Sequence, residues 1–206
     1  QRQMCIRDSQ CRTLGSQCTT YTGDLSNPIE AENIVMQTLS LYEHIDVLVN
    51  NAGISHIGLM QSMSEQDWNH LLSVNLSAAF YLCKQVVPHM VQQKQGKILN
   101  ISSIWGEHGA SCEVAYSAAK GGLNTFTKAL AKELAPSGIS VNAISCGMID
   151  TEMNAVLSED DITAITEEIP AGRMGTPEEV AELAFAITKK NDYLTGQIIT
   201  LDGGWI

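Results

Sequence analysis

Short runs rich in valine and isoleucine alternate with longer segments whose apolar positions recur every three or four residues. Ile45 to Asn50 (IDVLVN), Lys97 to Ile101 (KILNI) and Ile139 to Ser145 (ISVNAIS) predict parallel strands buried on both faces. Gln17 to Thr22 and Ile198 to Leu201 are two weaker strand candidates. The predicted helices announce their starts: Asn27-Pro28 pairs a capping residue with proline at the first helical position, and Ser64-x-x-Asp67 and Thr176-Pro177-Glu178-Glu179 both read as capping boxes. From Asp67 to Gln93 the residues Trp68, Leu71, Leu72, Ala79, Cys83 and Val86 form one apolar stripe, and Asn75 lies on it. A second long helix is predicted over Val114 to Leu134, ended by Pro136-Ser137-Gly138. Met153 to Glu168 is acidic and less regular, which predicts a mobile flap. Strand and helix in alternation are the pattern of an α/β fold built on a mainly parallel sheet.

Composition narrows the function classes. A chain of 206 residues, 44% hydrophobic, has enough apolar side chains for one domain with a sizeable core. No stretch approaches the ~18 consecutive apolar residues of a membrane span, and the first residues lack the apolar centre of a signal peptide. A soluble, cytoplasmic protein without a membrane partner is therefore expected. The formal charge of -11 repels phosphates at long range, so nucleic acid is not an expected partner. The six cysteines are scattered without close pairs, and the five histidines show no HExxH or comparable ligand spacing, so neither a disulfide framework nor a metal site is expected. A serine hydrolase would need a G-x-S-x-G elbow, which the chain lacks.

Four features carry candidate chemistry. VLVNNAG (Val47 to Gly53) ends a buried strand in small residues, where a parallel sheet opens its ligand crevice; an ordinary strand-to-loop turn is the bland alternative. YSAAK places Tyr116 and Lys120 one helical turn apart, where an ammonium near a phenol favours the phenolate. Ser103 follows the strand KILNI, so its hydroxyl and that of Tyr116 can converge on the same sheet edge; capping of the next segment is the alternative for Ser102 and Ser103. Asn75, an amide on an apolar stripe, needs partners, to pin a backbone or to hold a water.

In this order, NNAG, Asn75, Ser103 and Tyr116-x-x-x-Lys120 resemble the short-chain dehydrogenase/reductase family, as do Asp24 in GDLSN and the C-terminal LTGQIITLDGGWI. The resemblance implies a Rossmann-like, doubly wound parallel sheet and a ketone–alcohol interconversion dependent on NADP or NAD. It implies that Tyr116 donates the proton, Ser103 orients the carbonyl oxygen, Lys120 holds the nicotinamide ribose and lowers the Tyr116 pKa, and Asn75 anchors a water. Asn51, Ala52 and Gly53 would line the adenosine side, Asp24 would bond the adenine amine, and Gly147, Ile149 and Thr151 would lie along the nicotinamide. The usual Pro-Gly pair of the family stands here as Cys146-Gly147, which removes a proline that stiffens the loop.

The segment before Asp24 is too short for the glycine-rich turn and first two strands of such a sheet. In the order 3-2-1-4-5-6 those strands separate the third from the fourth, so their loss would expose a hydrophobic edge. QMCIRD back-translates as CAG ATG TGT ATA AGA GAC, which resembles a transposase-library adapter, so residues 1–9 are expected to be a non-native head and 10–206 an incomplete domain. An inactive fragment or binding scaffold is the alternative of a different class. Within the family the likeness is to bacterial 3-oxoacyl-acyl-carrier-protein reductases, and SIWGEHGASCEV with EEIPAGRMGTPEEVA also resembles reductases of the 5-aminopentanone group on elongation factor P. The expected partners are a small or protein-tethered carbonyl substrate and, for the full-length protein, further copies in a homotetramer.

Overall fold

The computed structural model describes residues 11, 13, 15–154 and 157–206. Four parallel strands form one sheet: β1 (Val47–Asn50), β2 (Gly96–Ser103), β3 (Ile139–Cys146) and β4 (Ile198–Leu201), in the order β1-β2-β3-β4. Around them lie α1 (Pro28–Tyr42), α2 (Glu65–Leu72), α3 (Ala78–Gln93), α4 (Trp105–His108), α5 (Val114–Leu134), α6 (Glu159–Glu168) and α7 (Pro177–Lys190).

Alternate residues along β2 and β3 feed two cores, one on each face. Ile98 and Val141 pack with Ala31 and Val35 of α1, Leu82, Val86 and Met90 of α3, and Leu134 of α5. Leu99 and Ile144 point the other way, against Val180, Leu183 and Ile187 of α7. With helices on both faces a strand has no solvent side, so β3 is buried from Ile139 to Ser145, its polar Ser140, Asn142 and Ser145 included.

The predicted caps form. The Asn27 side chain accepts from the Ile29 N–H with Pro28 at the first helical position, and Thr176 and Glu179 close a reciprocal capping box on α7. At α2 only half of the predicted box is made: Ser64 accepts from the Asp67 N–H, but the Asp67 carboxylate turns to the Ser64 hydroxyl, 2.6 Å away. The predicted flap contains a short 3-10 turn, Glu152–Asn154, and α6, which Ser158 and Asp161 cap and which buries no residue.

Other expectations shift. Gln17 to Thr22 forms no strand: no ladder partner lies beside it among the described residues, and an isolated strand has nowhere to place its backbone hydrogen bonds. The long helix predicted from Asp67 to Gln93 is helical throughout but passes through a π-helical turn, Ser73–Ser77, between α2 and α3. Strand β2 extends through Ser103, which therefore ends the strand rather than following it. Residues 1–9 lie outside the described residues. On the side of β1 away from β2 no strand pairs among the described residues, and Val47 and Val49 are 40% and 46% exposed.

Candidate active site

The carboxyl ends of β1, β2 and β3 and the first turns of α5 meet in one cluster. Ser103 closes β2, buried at 6% exposure, with Cys146 as its register partner on β3. Tyr116 and Lys120 sit on successive turns of α5, and the Lys120 ammonium stands 5.6 Å from the centre of the Tyr116 ring. Lys120 is 4% exposed, and its Nζ donates to the Ile101 carbonyl at 2.8 Å. Gly53, after β1, brings its backbone against the Asn75 amide and the Lys120 ammonium: a Cβ there would lie 3.4 Å from Asn75 Oδ1 and 3.6 Å from Lys120 Nζ.

Asn75 owes its position to the π-helical turn. Asn75 is buried at the middle of that turn, and π-turns of this kind occur often at functional sites. Both ends of that amide hold one residue: Nδ2 donates to the Ile54 carbonyl and Oδ1 accepts from the Ile54 N–H, each at 2.8 Å. Of the two roles the sequence left open, the side chain performs the pinning of a backbone.

Burial dominates the electrostatics. The Tyr116 phenol is pushed up to about 12, chiefly by burial and further by Glu113 and Cys146, against a hydrogen bond from Ser103 that acts the other way. Burial likewise drives the Lys120 ammonium down to about 8, with Cys146 opposing. The expectation that Lys120 lowers the Tyr116 pKa is thus not met by these side chains. The ammonium donates one of its three N–H groups to Ile101, and burial is the largest influence on the phenol. Chemically, Tyr116 keeps its proton throughout the neutral range and Lys120 remains mostly charged at pH 7.

The other predicted positions lie along the same edge or beside it. Asn51 and Ala52 line, with Leu25 and Asn75, a pocket under the end of β1. Gly147 donates its N–H to the Leu201 carbonyl at 2.9 Å. Ile149 bridges to Gly175, and its carbonyl accepts from Asn154 at 2.7 Å, so the loop that carries Thr151 is stitched down. Asp24 stands apart from the catalytic cluster, exposed in the turn before α1; hydrogen bonds from Ser26 hold its carboxyl below the usual range. Among the described residues no group of His, Cys, Asp and Glu could hold a metal ion, and no helix is long and apolar enough to cross a membrane.

Two further residues adjoin the cluster, and of these the sequence pointed to Glu113 alone, as a carboxylate near the site that an amine-bearing substrate would favour. Cys146 lies near both Tyr116 and Lys120; the only signal was its place at the end of a predicted strand, since its neighbours follow from strand register. Glu113 occupies the N-cap position of α5 yet makes no capping bond, and burial raises its carboxyl above the ordinary range.

Residues 7–206 match the family profile described as enoyl-(acyl carrier protein) reductase. The uncharacterized oxidoreductase YmfI of Bacillus subtilis (strain 168) is 43% identical over 201 residues, 97% of this chain and 82% of that protein. The 3-oxoacyl-[acyl-carrier-protein] reductase FabG of Chlamydia pneumoniae is 39% identical over 192 residues, 93% of this chain and 77% of that protein. A crystal structure from Agrobacterium tumefaciens, provisionally named a gluconate dehydrogenase, superposes with a TM-score of 0.91 at 32% identity, covering 96% of this chain and 79% of that one. A protonated phenol beside a buried ammonium and a strand-end serine, on a parallel α/β sheet with these relatives, makes the chain an oxidoreductase of the short-chain dehydrogenase/reductase family.

Proposed function

We propose that this protein reduces a 3-oxoacyl thioester to the 3-hydroxyacyl product with NADPH or NADH. The observation that carries the reading is the convergence of Ser103, Tyr116 and Lys120 at the carboxyl edge of the sheet, with the phenol held protonated. The residues present fit a nicotinamide dinucleotide: the glycine backbone at Gly53 lies open against Lys120, and Asn51 and Ala52 are exposed at the strand end. They would hold it together with Lys120, Gly147, Ile149 and Thr151, and Asp24 would sit at its adenine end. When bound, the reduced nicotinamide supplies hydride to the carbonyl carbon. Ser103 orients the carbonyl oxygen and Tyr116 passes its proton to that oxygen. Lys120 would hold the ribose of the nicotinamide. Asn75 fixes the backbone at Ile54 and so the height of the loop that begins at Asn51.

The experiment is turnover of acetoacetyl thioester by the wild type and Tyr116→Phe. Loss of the proton donor is expected to lower kcat by roughly 100- to 10,000-fold while coenzyme affinity stays within a few-fold. A variant within twofold of wild type would refute the assignment of Tyr116. Working as a homotetramer through α2, α3 and α5 belongs to the same reading, and exposed Trp68 and Phe80 on α2 and α3 support it.

One observation favours a second substrate. The Glu113 carboxylate is partly buried three residues before Tyr116 and makes no hydrogen bond or ion pair among the described residues. An amine on the substrate would pair with it, as the 5-aminopentanone group on elongation factor P would. On this reading Glu113→Gln lowers kcat/KM for the modified factor about tenfold, one lost ion pair in a partly buried site. An equal effect on acetoacetyl thioester would count against it.

A further inference from the structure

The segment after β4, residues 202–206, folds into a turn that its own first side chain holds. The Asp202 carboxylate accepts from the Gly204 N–H through Oδ1 and from the Ile206 N–H through Oδ2, each at 3.0 Å. Gly203 and Gly204 make the turn possible, with φ of 69° and 84°, a backbone that favours glycine. Two loops of the site seat it. The Gly203 carbonyl accepts from the Ala171 N–H at 3.1 Å, just beyond α6, and a Cβ at Gly147 would lie 2.7 Å from Asp202 Cα. A turn anchored on both sides fixes where the next side chain, Trp205, can go.

The Trp205 ring meets that of Trp105 edge-on, with centroids 5.3 Å apart and planes at 69°. Its Nε1 donates to Glu168 Oε2, at the end of α6, at 3.3 Å, which steadies the ring. Trp105 is in turn tied to the catalytic cluster, because its backbone N–H donates to Ser103 Oγ at 3.2 Å. Both rings are half-buried, so their contact outweighs the exposed and rather long bond to Glu168. We propose that Trp205 is a positioning residue: by holding Trp105 it sets the Ser103 hydroxyl, and with it the angle at which the substrate carbonyl is held. The proposal rests on the reading above in which Ser103 orients the carbonyl oxygen. Asn51, Gly53 and Lys120, assigned to the coenzyme, lie on other elements, so coenzyme binding does not answer to Trp205.

Trp205→Ala is expected to lower kcat/KM for acetoacetyl thioester about tenfold, the upper end of what an edge-to-face pair contributes, with coenzyme affinity within about twofold of wild type. Trp205→Phe keeps a ring against Trp105 and is expected to recover most of the loss. In a Ser103→Ala background Trp205→Ala is expected to cost less than about twofold, since the hydroxyl it sets is gone. Equal losses in both backgrounds would place the action of Trp205 elsewhere and overturn the proposal. A second readout needs no substrate. Hydrogen exchange of the Trp105 amide, followed by NMR, is expected to quicken severalfold in Trp205→Ala while the amides of β3 keep their protection. Unchanged exchange at Trp105 overturns the proposal. Faster exchange in a protein inert toward the thioester upholds the positioning role and counts against the substrate reading instead.

Discussion

Lys120 is a cation held at 4% exposure, and the consequence is a stability that depends on pH in a particular direction. Its folded-state value of about 8 lies below the ordinary 10.5. Below pH 8 both folded and unfolded chains carry the charge, and the folded one bears the full desolvation penalty. Between about 8 and 10.5 the folded state has released its proton while the unfolded state keeps it, so this group makes stability rise with pH across that window. Lys120→Met is therefore expected to raise Tm at pH 7, with the advantage shrinking by about pH 10, and to abolish turnover. Thermal unfolding at the two pH values checks this; a variant less stable at pH 7 would mean that stem packing outweighs charge. The residues at work here were legible to unequal degrees. Tyr116 and Lys120 announce themselves by a one-turn spacing, whereas Cys146 acquires its neighbours only when β3 pairs with β2.

Among elements, the contact between α4 and α5 sets the distance from Ser103 to Tyr116. Gly106 makes it possible: a Cβ there would lie 2.7 Å from the Lys120 carbonyl carbon and 2.9 Å from its oxygen, inside contact distance of backbone that cannot yield. Gly106→Ala is expected to push α4 away from α5 and carry the end of β2 with it. The measurable result is a kcat lowered by tenfold or more, since about 1 Å of misplacement can remove 100-fold, with a smaller change in coenzyme affinity. Unchanged kinetics would show that Ser103 is positioned independently of α4. The strands β2 and β3 were readable because each is a short run rich in isoleucine, leucine or valine, although Asn100, Ser102, Ser140, Asn142 and Ser145 are buried in them too. The π-helical turn was not, because it depends on the pull of Ile54 on Asn75, a contact across 21 residues. Gln17 to Thr22 shows the opposite failure: β propensity without a neighbour makes no strand.

For the whole molecule, surface charge and the open side of β1 act against each other. The net charge of -11 keeps copies apart, whereas the edge of β1 with Val47 and Val49, beside which no strand pairs among the described residues, offers each copy a template for backbone pairing. Val47→Lys is expected to suppress light scattering on gentle heating. It removes one unit of repulsion, -11 to -10, so any gain in colloidal stability comes from blocking the edge rather than from charge. More scattering than wild type would show that repulsion alone keeps the protein dispersed. The open edge also fixes how the solution answers to salt. Repulsion between like-charged molecules fades as the Debye length shrinks from about 10 Å at 0.1 M to about 3 Å at 1 M. Edge pairing, made of amides and valines, does not weaken with it. Clouding should therefore set in faster as sodium chloride is added, the reverse of an assembly held by ion pairs, and low ionic strength is the condition under which this protein keeps.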